Sequence, residues 1–450
     1  MKPMIIVPML AALALAASAG HAQPPQPPPP SVTSKPMDAA ERRAVVARTA
    51  ETMRTRYIYP DVGARAAAKI EAELAAGRYD DLTGSGVFAQ RLTDDLFSVA
   101  HDKHLHVMAT DAPRPPMKAS PPVKAGPPPP HGEGGVVRAD RLPGDIGYLE
   151  VVGFPPPALF RPPVDRAMTA LGGTKALIID LRRNGGGSPE AVTYLVSWFV
   201  GGAKPVHIND LVWRNPGTDT FRTERFYSVP TAGKYLGRPI YLLTSDYTFS
   251  GGEEFSYDMQ TLKLATLVGA VTGGGANPGG PVPPIGDRFD MFLPAGRAQN
   301  PITGTNWEGV GVKPDVVAPV DAALDIALAR LGQTTAEPDV ERLSQARLFS
   351  ARTTAAPGSE AALRRLLDGL AKGAPDYTAL GTDFAQAVRD RLPAMQADFD
   401  RFGAVQSVAF REVDVMGGDT YEVTFAKGRA EVTLLLQADG KIAAMMYRPL

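Results

Sequence analysis

Apolar side chains near the start of the chain recur every three or four residues, which is the spacing of one buried helix face. This pattern predicts three helices, at 39–57, 62–76 and 86–99. From 101 to 107 it changes to the alternation of apolar and polar residues that is typical of a strand. We therefore predict an N-terminal helical domain over residues 37–110.

After residue 146 the pattern changes to short apolar runs with helical segments between some of them. The runs lie at 146–154, 176–181, 239–244 and 265–271. Strands that alternate with helices in this way are typical of an α/β domain. The same region predicts a hairpin at 206–228, a strand at 287–294 and a closing helix at 322–331. These elements define an expected core domain over residues 136–332.

The last hundred residues show two helices followed by four strands. The helices are predicted at 359–373 and 382–402, and the strands at 405–413, 420–426, 429–437 and 442–448. Asp439-Gly440 is a strong hairpin signal between the last two strands. This order indicates a separate α+β domain over 357–450, behind a polar linker at 333–356. The domain is similar to the cone-shaped ketosteroid-isomerase-like fold, but it shows no acid/base pair, so we interpret it as an accessory or dimerisation module.

The first 22 residues have the pattern of a secretory signal peptide. Lys2 precedes an apolar stretch at 4–17, and small residues lead to a cleavage site after Ala22. A proline tract at 23–36 predicts a stiff linker, and a Pro/Gly-rich passage at 111–135 predicts a loop. No other apolar run approaches the length of a membrane span. We expect an exported bacterial protein, periplasmic or secreted.

Charge and cysteine content exclude several functions. The 450 residues include 47 Lys and Arg against 48 Asp and Glu, so no overall field favours nucleic acid or an acidic membrane surface. Because the chain has no cysteine, it has no thiol nucleophile, disulfide or Cys-ligated zinc. No cofactor and no metal are expected.

Ser250 lies where a predicted strand gives way to a predicted helix, and Gly251-Gly252 follow it. The start of a helix has unpaired N–H groups and the positive end of the helix dipole. An oxyanion formed during acyl transfer would be stabilised there. The alternative role for Ser250 is a helix cap, which serine fills well.

Three other segments contain candidate chemistry. Asn184-Gly-Gly-Gly-Ser188 follows a buried strand, and glycines there would bring backbone N–H groups close to a ligand; a tight turn is the alternative. His101, His104 and His106 form a cluster in which a general base is a sharper interpretation than a metal site. Glu308 is a lone carboxylate in a glycine-punctuated turn that could equally be an exposed loop.

Taken together, these motifs resemble the tail-specific, or C-terminal-processing, serine peptidases. The resemblance covers about 146–331, with the helical region before it. It rests on Arg-x-Asn-Gly-Gly after the strand at 178–181, Ser250-Gly-Gly-Glu-Glu-Phe, Thr266-Leu-Val-Gly and Gly309-Val-Gly-Val-x-Pro-Asp315. Within the family the chain is more similar to the interphotoreceptor retinoid-binding-protein-like and tricorn-like branch than to the Ser/Lys branch. Gly275 occupies the position of the dyad lysine, and the chain between 110 and 146 is too short for the usual PDZ domain.

This resemblance implies a fold and a set of site residues. The fold is a crotonase-like (ClpP-like) core of stacked ββα units. The implied nucleophile is Ser250, with His104 as base and Glu308 as supporting carboxylate, acting directly or through a bridging group. The implied oxyanion donors are Gly251 and either Gly186 or Gly187. One departure is Lys103, since the branch can carry a serine immediately before the histidine.

The resulting hypothesis is an exported serine peptidase that hydrolyses unstructured or C-terminal polypeptide segments, with any homo-oligomer formed through the C-terminal domain. The rival hypothesis is a non-catalytic protein that binds an apolar ligand or a peptide in the same site. An α/β-hydrolase esterase is a weaker third hypothesis, because Thr248 stands where the Gly-x-Ser-x-Gly elbow needs glycine. The peptidase hypothesis requires that the helical domain dock against the core, because His104 and Ser250 are far apart in the chain.

Overall fold

The computed structural model describes residues 36–109, 132–280, 282–334, 340–437 and 439–450. The predicted signal peptide, almost all of the proline-rich linker and most of the 111–135 loop therefore lie outside the described residues. Within the described ranges, no helix is both long enough and apolar enough to cross a membrane.

The N-terminal region contains the three predicted helices, with ends that differ from the prediction by at most two residues. They are α1 (Ala39–Arg56), α2 (Pro60–Ala75) and α3 (Ser85–Ala100), followed by β1 (His106–Ala109). Asp38 caps α1 through the N–H of Glu41, and Pro60 occupies the first turn of α2, where its missing N–H costs nothing.

The core combines a large sheet, two small sheets and flanking helices. Its helices are α4 (Pro157–Leu171), α5 (Pro189–Val196), α6 (Gly251–Thr261), α7 (Ala323–Arg330) and α8 (Val340–Leu343). Its strands are β2 (Val136–Leu142), β3 (Ile146–Val151), β4 (Ala176–Asp180), β5 (His207–Arg214), β6 (Phe221–Tyr227), β7 (Ile240–Thr244), β8 (Thr266–Gly269), β9 (Gly279–Gly280), β10 (Phe289–Pro294), β11 (Gly296–Gln299), β12 (Val316–Val317) and β13 (Ala346–Arg347).

The large sheet has the strand order β12-β8-β7-β4-β3-β2-β13. The five strands from β12 to β3 are parallel. At one edge β2 pairs antiparallel with β3, and β13 pairs antiparallel with β2. The hydrophobic pattern does not predict β2, α8 or β13. The last two lie in the segment expected to be a linker, and β13 is too short to show a period of its own.

The two small sheets connect the helical region to the core. One has the order β11-β5-β6, and the other has the order β1-β10-β9. In the second sheet β1 pairs antiparallel with β10, with His106 opposite Phe292. Apolar residues of α1–α3 share one hydrophobic cluster with Phe289 and Leu293 of β10. The docking that the peptidase hypothesis requires is therefore present.

The C-terminal region consists of α9 (Ser359–Ala371), α10 (Thr382–Phe402) and four antiparallel strands in sequence order. The strands are β14 (Val405–Val413), β15 (Asp419–Phe425), β16 (Gly428–Leu436) and β17 (Ile442–Pro449). Arg391 of α10 forms a 2.6 Å ion pair with Asp290 of β10. The region therefore contacts the core as well as following it in sequence.

Candidate active site

The turn between β7 and α6 is tied to the glycine-rich loop that follows β4. The Ser245 hydroxyl donates to the Arg182 carbonyl at 2.6 Å, and the Thr248 hydroxyl donates to the Leu181 carbonyl at 2.8 Å. Both hydroxyls are buried, so each bond also removes the cost of an unpaired polar group. These bonds hold the segment before Ser250 against the other candidate loop.

Ser250 has an unusual backbone conformation, with φ 52° and ψ −120°. Non-glycine residues rarely adopt positive φ, and residues held there against strain cluster at functional sites. Ser250 also occupies the N-cap position of α6, and its N–H donates to Glu253 Oε2 at 2.9 Å. Ser250 therefore stands where the capping alternative places it, at the N-cap of α6. An N-cap residue typically has β-region backbone, so capping does not explain the positive φ.

The glycine-rich loop approaches Ser250 too closely for any side chain. A Cβ on Gly186 would lie 2.7 Å from Ser250 Cβ and 2.8 Å from the Gly251 nitrogen. A Cβ on Gly251 would lie 3.0 Å from the Gly187 nitrogen. The N–H of Gly186 is already occupied, because it donates to Asn184 Oδ1 at 2.8 Å. The N–H groups of Gly251 and Gly187 are thus the two that lie beside Ser250 without a described acceptor.

The ring of His104 packs against the ring of Phe249, the residue before Ser250. Its ring centroid is 4.6 Å from that of Phe249, and a Cβ on Gly275 would lie 2.8 Å from His104 Cε1. Its Nδ1 is sealed from solvent and has no partner in the described structure. Burial lowers the pKa of His104 to about 4, with a smaller contribution from the charge of His106. The imidazole is therefore neutral at physiological pH, as a general base must be.

The structure brings His104 next to the Ser250 turn, but among the described residues no hydrogen bond joins the two side chains. Catalytic hydrogen bonds are often long or poorly aligned without substrate and tighten only when it binds, so the pair is compatible with this geometry. His101 is exposed at the end of α3, in a left-handed conformation (φ 51°), with its ring against Phe97. His106 stacks on Phe292, and its Nδ1 lies 2.7 Å from the His104 carbonyl.

A buried carboxylate, Asp102, holds the backbone of His104. Its Oδ1 accepts the N–H of His104 at 3.0 Å. Its Oδ2 accepts the Tyr57 hydroxyl at 3.1 Å and the Asn277 amide at 2.9 Å. Tyr59 in turn donates to Asn277 Oδ1 at 3.3 Å. The network therefore joins the helical region, the histidine segment and the core.

Glu308 contacts the core segment at residues 275–276, beside which the His104 ring lies. Its Oε2 accepts the N–H of Ala276 at 2.5 Å, while its Oε1 is buried without a described partner. Burial, and then the negative charge of Asp102, raise the pKa of Glu308 to about 8. Glu308 and His104 thus flank the chain at 275–276, and each has one buried atom that no described group satisfies.

Glu253 is the structural carboxylate of the site. It accepts N–H groups from Ser250, Gly274 and Gly275 at 2.6–2.9 Å and the hydroxyl of Thr272 at 2.5 Å. Burial raises its pKa to about 7, although these hydrogen bonds act in the opposite direction. The carboxylate therefore joins the Ser250 turn to the 272–275 segment, on which His104 packs.

A second pair of acids lies further along α6, away from Ser250. Glu254 and Asp258 are buried four residues apart, and one oxygen of each has no described partner. Burial raises both pKa values, to about 7 for Glu254. Asn300 donates to Asp258 at 3.1 Å, and no arginine or lysine forms an ion pair with either acid within the described residues. Buried acids whose pKa is raised in this way make the stability of the fold depend on pH.

Lys103 and Gly275, the residue at the dyad-lysine position, have simple structural descriptions. The Lys103 side chain is directed to the Gly273 carbonyl, to which its amine donates a hydrogen bond. Gly275 cannot carry a longer side chain, because its Cβ would overlap the Phe249 ring at 2.3 Å. Among the described residues, no group of three or more His, Asp or Glu side chains is arranged to hold a metal ion.

Sequence reasoning missed four residues of this network: Asp102, Tyr57, Asn277 and Glu253. Asp102 stands between two of the histidines already singled out, and Glu253 lies in the Ser250 motif, so both were within reach of the motif analysis. Tyr57 and Asn277 carry no local signal, because their role arises only when distant segments meet.

Comparisons with known proteins agree with this arrangement of two regions. Residues 145–318 match peptidase family S41, and residues 39–132 match the N-terminal domain of peptidase S41 in eukaryotic IRBP. The chain therefore carries a family S41 peptidase domain preceded by the N-terminal domain of that family. The candidate site residues Ser250 and Glu308 lie in the first matched segment, and His104 lies in the second.

The individual proteins that the chain resembles have low sequence identity to it. The tricorn protease of Thermoplasma volcanium is 28% identical over 178 residues, which are 40% of this chain and 16% of that protein. The chain thus spans about a sixth of the length of this curated relative. Among solved structures, the photosystem II D1 C-terminal processing protease is 14% identical (TM-score 0.43, 66% of this chain and 99% of that chain). The tricorn protease structure is 15% identical (TM-score 0.42, 66% and 37%).

Proposed function

We propose that the protein is a serine peptidase that cleaves unstructured or C-terminal segments of polypeptides. The observation that carries the proposal is the positive-φ turn of Ser250 at the start of α6, packed against the glycine loop. This arrangement places Ser250 beside two N–H groups, those of Gly251 and Gly187, that have no acceptor within the described residues. The family S41 match of both regions supports the same activity.

In the proposed reaction Ser250 Oγ attacks the carbonyl carbon of the scissile peptide bond, and neutral His104 takes the hydroxyl proton. The negative oxygen of the tetrahedral intermediate accepts the N–H groups of Gly251 and Gly187. Gly186 was an alternative donor, and its bond to Asn184 makes Gly187 the better choice. His104 then gives its proton to the leaving amine, and a water deprotonated by His104 hydrolyses the acyl-enzyme.

Glu308 supports the base in this proposal. When His104 becomes an imidazolium, its Nδ1–H needs an acceptor, and Glu308 Oε1 is a buried carboxylate oxygen that has no partner within the described residues. A carboxylate that stabilises the imidazolium directly or through a bridging group performs the role of the third member of a catalytic triad. Substrate binding would also have to bring the His104 ring into line with Ser250, past Phe249.

The finer features of the family resemblance belong to the same proposal. These are the crotonase-like (ClpP-like) core, the ketosteroid-isomerase-like C-terminal domain and the predicted domain boundaries. Export to the periplasm or the medium, with cleavage after Ala22, follows from the sequence pattern. Homo-oligomers, if formed, would use the C-terminal domain.

The test compares wild-type protein with Ser250→Ala on an unstructured peptide and with a serine-directed phosphonate. We expect the variant to lose cleavage and labelling while its circular dichroism and melting temperature stay unchanged. Labelling of the wild type should also be lost in His104→Gln and kept in the exposed-residue control His101→Gln. Turnover by Ser250→Ala would refute the nucleophile. Peptide binding with neither labelling nor cleavage would favour the non-catalytic binding protein.

A further inference from the structure

Arg297 is a cation without a partner at the edge of the candidate site. It lies on β11, partly exposed, and within the described structure its guanidinium makes no hydrogen bond and no ion pair. Its Cζ lies 5.7 Å from the centroid of the Phe221 ring. A guanidinium has five N–H donors, so this side chain retains its full capacity to bind an acceptor.

The neighbouring arginine on the same sheet face is very different. Arg214 donates to the carbonyls of Thr218 and Tyr57 at 2.8 and 2.9 Å, and to Asp219 at 2.8 Å. The strand register places Phe221 opposite Arg214 and Val212 opposite Arg297, so all four side chains share one face. Arg214 thus joins the hairpin to the helical region, and Arg297 has no equivalent structural task.

Arg297 is also close to the network that holds the base. Burial raises the pKa of Tyr59, and the positive charge of Arg297 acts against that rise. Tyr59 is connected through Asn277 and Asp102 to the backbone of His104. In addition, β11 runs beside the segment on which His104 packs, with the Ala298 N–H donating to the Ala276 carbonyl at 2.9 Å.

We propose that Arg297 is a specificity-determining residue that binds a carboxylate group of the polypeptide substrate. This inference deepens the proposed peptidase function and rests on it for the identity of the ligand as a peptide. The planar guanidinium matches a carboxylate with two parallel hydrogen bonds, and its partly buried position strengthens the pair. The exposed Phe221 ring, 41% accessible, provides an apolar wall beside the charge.

The carboxylate has two sources in a peptide, the C-terminus and an acidic side chain. The experiment measures binding of three labelled peptides to the Ser250→Ala protein by fluorescence anisotropy at low salt. One peptide ends in a free carboxylate, the second is its C-terminal amide, and the third is the amide with one internal Gln replaced by Glu. Because no cleavage is needed, binding is read independently of catalysis.

We expect the free acid to bind about 10- to 100-fold more tightly than the amide, which corresponds to one hydrogen-bonded charge pair. Arg297→Gln in the same background should remove this preference, and Arg297→Lys should retain part of it. The matched control is Arg222→Gln. Arg222 lies on the opposite face of the same sheet, 5.4 Å from the Trp213 ring, and its loss should change nothing.

Rescue of the amide by the internal Glu would assign the site to an acidic side chain, and failure of that rescue would assign it to the C-terminus. The proposal would be overturned if the free-acid and amide peptides bound with equal affinity, or if Arg297→Gln lowered the affinity for both peptides by the same factor. If Arg297-dependent binding is found but the wild-type protein neither cleaves nor reacts with the phosphonate, the peptidase assignment fails and the carboxylate site stands.

Discussion

Asp102 Oδ1 accepts the backbone N–H of His104 at 3.0 Å, so the side chain of one residue fixes the position of a neighbour two residues away. The same carboxylate accepts Tyr57 and Asn277 from two other regions of the molecule. Its burial raises the pKa of Asp102, and the hydrogen bonds oppose this rise. The candidate base is thus positioned by an acid that does not itself contact Ser250 in the described structure.

Asp102→Asn should lower kcat about tenfold, because one hydrogen bond to a charged group contributes about 1.5 kcal/mol. KM should change little, since Asp102 is a positioning residue and not a substrate contact. The substitution also removes a negative charge that raises the pKa of Glu308, so the Glu308 titration should move to lower pH. Steady-state kinetics across pH would measure both effects. A merely structural role for Asp102 would lower the melting temperature without moving that titration.

The pH profile of cleavage should show two inflections. His104 accepts a proton only when neutral, and its pKa is about 4 instead of the ordinary 6.5, so activity should persist well below pH 6. Glu308 has a pKa of about 8, so its ionisation above neutrality should stabilise the imidazolium and raise the rate further. Glu308→Gln should abolish the upper inflection and leave the lower one. An acid limb near 6.5 in the wild type would contradict the buried, neutral base.

Gly186→Ala should abolish activity, because its Cβ would lie 2.7 Å from Ser250 Cβ in a backbone with φ 101°. The matched control is Gly202→Ala, where φ is 107° but nothing lies within 4 Å of the new Cβ. Both variants bear the backbone strain of about 1–3 kcal/mol. Only Gly186→Ala should lose phosphonate labelling and show a lower kcat/KM. Comparable loss of activity in both would show that strain alone, and not the contact with Ser250, accounts for the effect.

Glu254→Gln should stabilise the protein at alkaline pH. The carboxyl has a pKa of about 7 in the fold against an ordinary 4.5, so the fold prefers its protonated form. The cost of ionising it is absent below about pH 4.5 and grows as pH rises towards 7. The variant should therefore gain about 1–3 kcal/mol at pH 8 and nothing at pH 4. Denaturant unfolding at both pH values would measure the gain, with the exposed Glu51→Gln as control. A gain of the same size at pH 4 would exclude this explanation.

Much of this fold is visible in the sequence because its long elements have a period of their own. The predicted helix at 382–402 coincides with α10, and the hairpin at 206–228 contains β5 and β6. The glycine loop and the Ser250 motif are also local, since each lies in one short stretch that follows a buried strand. Short edge strands such as β13 were not predictable, because two residues carry no periodic signal and depend on a partner strand.

The sequence alone determined the candidate nucleophile, its glycine neighbours and the segment that holds the candidate base, because residue type and order specify them. The tertiary structure alone decided which groups meet. Pairing of β1 with β10 brings His104 to Phe249, and the Asn184 side chain accepts the N–H of Gly186, which leaves the N–H of Gly187 without a described acceptor. Those contacts join segments far apart in the chain. Such contacts depend on how whole elements pack, and no local pattern of residues encodes them.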